Sequence, residues 1–330
     1  MKKQKFYDVH GIHLTDYAPY LASIHDSHSS DISCSIVETA SLVVDFSERY
    51  SGFVSILPTQ SHLQVSNSDD PFSYENEKVV RFTDFMRDVH PGISQSFYPF
   101  LAIYPSDDPK YLSAIKSFRE RLERPCGFKF IARSLERKIG ELSGRRIMDF
   151  LDDLGAVLLL HTGTDIFSDP NQIPPLARKY PHVRFIAAHL GAFSGSFLRT
   201  IGVYDNIYVD SSIFSDMFSQ RLQESPKYPF LKNVPENFSF EEFVDYIFMT
   251  FPIRSRILFG SDYPWIKLFG KPLDEERNLV LESCIDPELK SCWAYKNAER
   301  IFDKDLSKLT VPANAEFTSK DYGLLDDDSA

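Results

Sequence analysis

Three apolar runs in this chain each end on a residue able to bind a metal or move a proton. They are Ala156-Val157-Leu158-Leu159-Leu160-His161, Arg184-Phe185-Ile186-Ala187-Ala188-His189 and Arg256-Ile257-Leu258-Phe259-Gly260-Ser261-Asp262. An isolated carboxylate at the end of a buried strand is strongly disfavoured, so Asp262 calls for a cation or a proton close by. Imidazole and carboxylate donors suit zinc, manganese or iron, with an open position left for water. A cation so held lowers the acidity constant of water enough to make hydroxide near neutral pH. For any one of these histidines alone, a hydrogen-bonded core residue is the ordinary reading. Three at equivalent strand ends point to one shared site.

Four further residues fall in positions that could serve it. The first apolar run, Phe6-Tyr7-Asp8-Val9-His10-Gly11-Ile12-His13, carries two histidines. Strict alternation puts Asp8, His10 and Ile12 on one face and leaves His13 on the other. A bulge at Gly11 would turn His13 toward the same site; without one, His13 is a loop residue. His10, buried in a strand, needs a polar partner in either case. Lys129, inside Cys126-Gly127-Phe128-Lys129-Phe130-Ile131-Ala132, must have its charge paired or lost. It can snorkel, bind a substrate carboxylate, or be carboxylated and bridge two metals. Asp210 can orient a histidine from behind or cap the turn at Ser211-Ser212. His25 and His28 read as solvated loop residues, and His62, His90 and His182 receive no role.

These residues need strands to hold them, and the whole length supplies such strands. Candidates cover 6–13, 52–59, 97–105, 126–132, 156–163, 184–191, 206–212 and 256–264. Their near-continuous apolar character is that of parallel strands covered on both faces. Helical patterns lie between them, at 111–122, 145–153, 173–180 and 240–251, with a closing helical pair over 274–302. Eight strands alternating with helices make a closed α/β barrel, a (β/α)8 TIM barrel, the expected fold. An open doubly wound sheet would carry its glycine signature near the first strand, and none is there. Long segments at 14–30, 60–75 and 213–239 follow strands 1, 2 and 7, so they would lie over the carboxyl-terminal mouth as lid insertions. The expected organisation is one domain over 1–315 and an acidic tail over 316–330.

Composition sets the outer bounds. Of 330 residues, 36 are Lys or Arg and 47 are Asp or Glu, a net charge of −11 that argues against nucleic acid or an anionic membrane as partner. The four cysteines, Cys34, Cys126, Cys284 and Cys292, have no paired spacing and read as reduced thiols of a cytoplasmic protein. No stretch approaches the roughly 20 apolar residues that span a bilayer. A small molecule remains as the expected partner.

Taken in order, the strand-end motifs resemble a known family. Tyr7-Asp8-Val9-His10, Gly127-Phe128-Lys129, Leu160-His161-Thr162-Gly163, Ala188-His189-Leu190-Gly191, Phe259-Gly260-Ser261-Asp262-Tyr263-Pro264 and Asn297-Ala298-Glu299-Arg300-Ile301-Phe302 follow the order of the amidohydrolase superfamily. The resemblance is to its amidohydrolase-related branch, which includes the aminocarboxymuconate semialdehyde decarboxylase-like enzymes. It implies a distorted TIM barrel holding one divalent metal, zinc first, with manganese or iron as alternatives and a second metal only if Lys129 is carboxylated. It implies His10, His13, His161 and Asp262 as metal ligands. It implies Asp262 as a proton shuttle and His189 as either a further ligand or the base beside the metal water, with a homodimer as the family expectation; Asp8 and Asp210 are expected behind these residues. The family pattern is His-x-His, whereas this chain has His10-Gly11-Ile12-His13, one residue longer.

The leading functional expectation is metal-dependent hydrolysis of a small amide, lactone or ester-type substrate that itself carries a carboxylate. Non-oxidative decarboxylation of an aromatic or muconate-like acid is the alternative. A degenerate barrel that binds a ligand without turnover is the third reading, and the lengthened first-strand motif is its only support.

Overall fold

Inward and outward side chains alternate along the strands and sort into two separate apolar clusters. In the computed structural model, Val157, Leu159, Ile186, Tyr208 and Leu258 belong to an inner cluster, closed at one end by Ala298, Ile301 and Phe302 of the last helix. Their neighbours Leu158, Leu160, Phe185, Val209 and Ile257 belong to a larger cluster under the surrounding helices. Burial on both faces explains why these strands read as unbroken apolar runs. The structure describes residues 3–14, 34–58, 73–93, 95–220, 228–269 and 272–306.

The barrel strands in chain order are β1 (Asp8–Leu14), β2 (Val54–Pro58), β3 (Phe97–Ala102), β4 (Gly127–Phe130) and β5 (Val157–Leu160). They continue with β6 (Arg184–Ala187), β7 (Ile207–Asp210), β8 (Ile257–Leu258) and β9 (Gly260–Tyr263). Every pairing is parallel, and the spatial order is β8-β7-β6-β5-β4-β3-β2-β1-β9. β8 and β9 are successive pieces of one segment, interrupted at Phe259. β8 bonds to β7 and β9 bonds to β1, so the ring closes as the expected eight-membered barrel with its last strand broken in two.

Helices of the outer layer include Pro109–Arg121, Arg146–Leu154, Ile173–Lys179 and Phe240–Thr250, each within a few residues of its expected span. The last of these is fixed at its start by a reciprocal cap, Ser239 to the Glu242 amide and the Glu242 side chain to the Ser239 amide. The expected closing pair is three helices, Leu273–Leu281, Pro287–Ser291 and Asn297–Leu306. The Asn297 side chain donates to the carbonyls of Ile257 (2.8 Å) and Arg254 (2.9 Å), which ties the last helix to the entry of β8.

Most of the expected lid segments 14–30 and 60–75, the middle of 213–239, and the tail 316–330 lie outside the described residues, as do His25, His28 and His62. The described part of the third segment holds a helix, Phe214–Gln220, and a helical turn, Pro229–Asn233. Among the described residues no helix is long and apolar enough to cross a membrane.

Candidate metal centre

His10 and His13 reach the same point because β1 is irregular. Its register against β2 pairs Asp8 with Val54 and Ile12 with Ile56, so four steps on one strand match two on the other. Gly11 sits in this bulge, where a Cβ would fall 2.5 Å from the Ser55 carbonyl oxygen, and only glycine fits. The outcome departs from strict alternation. Asp8 and Ile12 do not share a face with His10. Ile12 joins the outer cluster, while Asp8 accepts from the Ser261 amide at 3.0 Å and faces Arg277 at 3.5 Å. Asp8 thus braces the strand that carries Asp262, and among the described residues it hydrogen-bonds no histidine.

Asp262 stands opposite. Its φ of 54° lies in the left-handed region, which aspartate tolerates better than most residues. The Nε2 atoms of His10 and His13 each lie 3.0 Å from its Oδ1. Gly260 lies beside His10 in register, and a Cβ there would meet the His10 Cβ at 2.6 Å, so this glycine too is required by close approach.

The other wall comes from β4 to β7. Alternation carries Lys129 inward, between Phe128 and Phe130 of the outer cluster, and its Nζ lies 2.6 Å from His10 Nε2. The same alternation carries His161 inward after Val157 and Leu159. His189 does not continue its strand. β6 ends at Ala187, and residues 189–193 form a left-handed turn with φ between 50° and 58°. Left-handed backbone costs roughly 1–2 kcal/mol for each residue bearing a Cβ, so surrounding contacts must hold it. The Asp210 carboxylate accepts the His189 amide at 3.1 Å, and the Thr162 hydroxyl donates to the Ala188 carbonyl. The turn sets His189 Nε2 at 3.2 Å from His161 Nδ1 and 4.0 Å from Asp262 Oδ2.

One family model matches this sequence, that of the amidohydrolases, over residues 97–304. The chain belongs to the amidohydrolase family. No curated protein matches it. Solved structures similar to this amidohydrolase include an uncharacterised TIM-barrel protein from Bordetella bronchiseptica, at 14% identity and TM-score 0.59, over 91% of this chain and 99% of that one. A 2,6-dihydroxybenzoate decarboxylase from Rhizobium is similar at 13% identity and TM-score 0.57, over 92% and 99%. A dihydroxybenzoic acid decarboxylase from a Polaromonas species, solved with manganese and 2-nitroresorcinol, is similar at 14% identity and TM-score 0.57, over 91% and 97%. At such identities the likeness is one of fold, and it agrees with the barrel described above. Membership makes the chain an enzyme of a superfamily that works with a divalent metal.

The donor set of this amidohydrolase fits such a metal. Ligand atoms of His10, His13 and Asp262 lie within 4.8 Å of one another, and all three side chains are buried. His10 Nδ1 is 3.0 Å from Asp210 Oδ2, so that ring nitrogen donates to the carboxylate and Nε2 is the nitrogen left on the side of Asp262 and Lys129. His13 is engaged through Nε2, and its Nδ1 has no hydrogen-bond partner among the described residues. A second compact set, His10, His189 and Asp210, is already joined by hydrogen bonds and is better described as support. His161, expected as a ligand, lies against His189 with ring centroids 5.0 Å apart and belongs to neither compact set.

Burial and charge divide these groups into proton acceptors and one donor. Asp262 pays desolvation, but His10, His13 and His189 outweigh it and hold the carboxyl well below the usual range. Asp210, likewise desolvated but paired with His10, is lowered to about 2. Burial pushes His189 down to about 4 and His13 to about 3, and it takes His161 well below the ordinary value, so all three are neutral at pH 7. Burial and Lys129 push His10 down, while Asp210 and Asp262 raise it further, leaving it above the ordinary histidine value. Burial lowers Lys129 to about 8, so its amine still carries a proton at neutral pH.

Ser212 was not among the residues singled out from the sequence. Its hydroxyl lies 3.0 Å from His10 Nδ1 and 2.8 Å from His189 Nδ1. The only local signal was its place two residues after Asp210, which suggests a turn cap and nothing more.

Proposed function

We infer that this amidohydrolase hydrolyses a small amide, lactone or ester-type substrate bearing a carboxylate, with one divalent cation held by His10, His13 and Asp262. Zinc is the first candidate, with manganese and iron as alternatives. When bound, the cation supplies Lewis-acid polarisation and makes water more acidic. The observation that carries the reading is the placement of Asp262 and His189 face to face in a buried site. Asp262, held ionised, and His189, held neutral, stand 4.0 Å apart as two proton acceptors. Hydrolysis needs acceptors there: one takes the proton of the attacking water and passes it to the leaving group. In this reading Asp262 is that acceptor, His189 Nε2 assists it, and His161 holds the His189 ring through their 3.2 Å contact. Lys129, with its protonated amine, anchors the substrate carboxylate. Buried walls keep bulk water from competing for these protons.

Decarboxylation is the second reading, favoured by the two similar decarboxylases. It requires a proton delivered to carbon, and Lys129 is the acid closest to hand.

The two readings separate in one set of measurements on the full chain purified without chelator. Metal analysis should give one equivalent of transition metal, and its absence would sink both. A panel of lactones, amides and aromatic acids is then scored for acid production against CO2 release. Under hydrolysis, Lys129→Met mainly raises KM for the carboxylated substrate. Under decarboxylation it removes kcat. His161→Ala should abolish turnover in either case, and full activity in that variant would overturn both mechanisms.

A further inference from the structure

We propose that Ser212 is a positioning residue that fixes the tautomer of His189, and so determines whether Nε2, on the side of Asp262, carries a proton. The proposal rests on the reading of His189 as a proton acceptor. Three groups converge on the Ser212 hydroxyl, which is fully buried: Asp210 Oδ1, His10 Nδ1 at 3.0 Å and His189 Nδ1 at 2.8 Å. A hydroxyl has one proton to give and two lone pairs with which to accept.

The direction of each bond follows from what the partners can do. Both Asp210 oxygens face N–H donors, so they accept. Its Oδ2 takes the His10 Nδ1 proton at 3.0 Å, and its Oδ1 takes the backbone amides of His189 at 3.1 Å and Ser212 at 3.0 Å. The Ser212 hydroxyl lies against the same Oδ1, and its single proton goes there. With that proton committed, the serine oxygen meets His189 only as an acceptor, so the His189 proton sits on Nδ1. Nε2 is then the unprotonated nitrogen, directed to His161 Nδ1 at 3.2 Å and to Asp262.

The result is an ordered line of donors, His161 Nδ1–H to His189 Nε2 and His189 Nδ1–H to Ser212, ending in the buried Asp210 carboxylate. Without the hydroxyl, His189 Nδ1 loses its acceptor, and the ring gains by moving its proton to Nε2. That tautomer cannot take a proton at the side facing Asp262. Asp210 alone does not set this choice, because its oxygens reach the backbone of His189 and not the ring.

Nitrogen-15 NMR of histidine-labelled, zinc-loaded full-length protein reads the tautomer directly, with the His189 signals identified by their loss in His189→Gln. The wild type should show Nδ1–H at His189. Ser212→Ala should shift it to Nε2–H or to a mixture, and Ser212→Thr, which keeps the hydroxyl, should restore it. In parallel, kcat should fall roughly 10- to 100-fold in Ser212→Ala with KM little changed, and recover in Ser212→Thr. An unchanged tautomer in Ser212→Ala, or Nε2–H in the wild type, overturns the proposal. The tautomer is read without substrate. A protein that turns over none of the panel therefore counts against the hydrolytic reading and leaves the hold of Ser212 on the ring standing or falling by its own measurement.

Discussion

The barrel has a regular arc and an irregular seam, and the two deliver functional side chains by different means. From β3 to β7 the registers advance one residue for one, as in Phe128 with Leu158, Leu158 with Phe185, and Phe185 with Ile207. Lys129, His161 and Asp210 reach the interior there because alternation alone carries them. At β9, β1 and β2 the registers slip, four steps against two on one side and three against two on the other. The seam uses that slippage to aim His10 and His13 at one oxygen of Asp262. His189 belongs to the arc by position but to the seam by method, since a left-handed turn re-aims it. Regular backbone places one side chain per strand on the site. Gathering His10, His13 and Asp262 around one point takes a break in the regularity.

If the seam holds the cation, the largest effect should come from Asp262→Asn. Several kcal/mol of transition-state stabilisation, about 10³-fold in kcat/KM, should disappear together with stoichiometric metal. Wild-type metal content in that variant, measured by elemental analysis, would remove the seam from the mechanism.

A paired comparison tests the backbone itself. Gly11→Ala must displace the Ser55 carbonyl or refuse the bulge. It should cost about 1–3 kcal/mol in denaturant unfolding and also lower metal occupancy. Leu158→Ala in the arc should cost more stability, roughly 2–5 kcal/mol, yet keep its metal. Metal loss in both, or in neither, would erase the distinction between the two regions.

The smallest effect is one of pH. In metal-free protein His13 is held near 3 and His189 near 4, both below the ordinary 6.5. Between pH 6.5 and 4 the unfolded chain therefore binds more protons than the folded one, and stability rises with pH. Asp8 opposes this, because burial raises it to about 6 and its folded form prefers the proton between its ordinary value of 3.8 and that point. His161, held well below the ordinary value by burial, adds to the loss, and three groups against one leave a net fall on acidification. The Tm of chelator-treated protein should fall as pH drops from 6.5 to 4, and a flat or rising profile would contradict the neutral state of these histidines.

Much of the arc was legible from residue types. Leu158-Leu159-Leu160-His161 and Phe128-Lys129-Phe130 are buried on both sides, and a polar residue among them has nowhere to go but the interior site. The seam was legible only as a question, because whether His13 reaches Asp262 depends on how Gly11 meets Ser55 of another strand. Ser212 was not legible at all. Its partners His10, His189 and Asp210 are respectively 202, 23 and 2 residues away, and the two histidines give it a part in the site.

Order along the chain is enough to decide that parallel strands form, that a barrel closes, that His161 and Asp262 arrive at strand ends and that Lys129 lies within a strand, because these follow from local apolar pattern and its period. Register slips, the left-handed turn at His189 and the convergence on Ser212 belong to the tertiary structure. Each is a backbone state unfavourable or indifferent in isolation, made stable by contacts with strands distant in sequence.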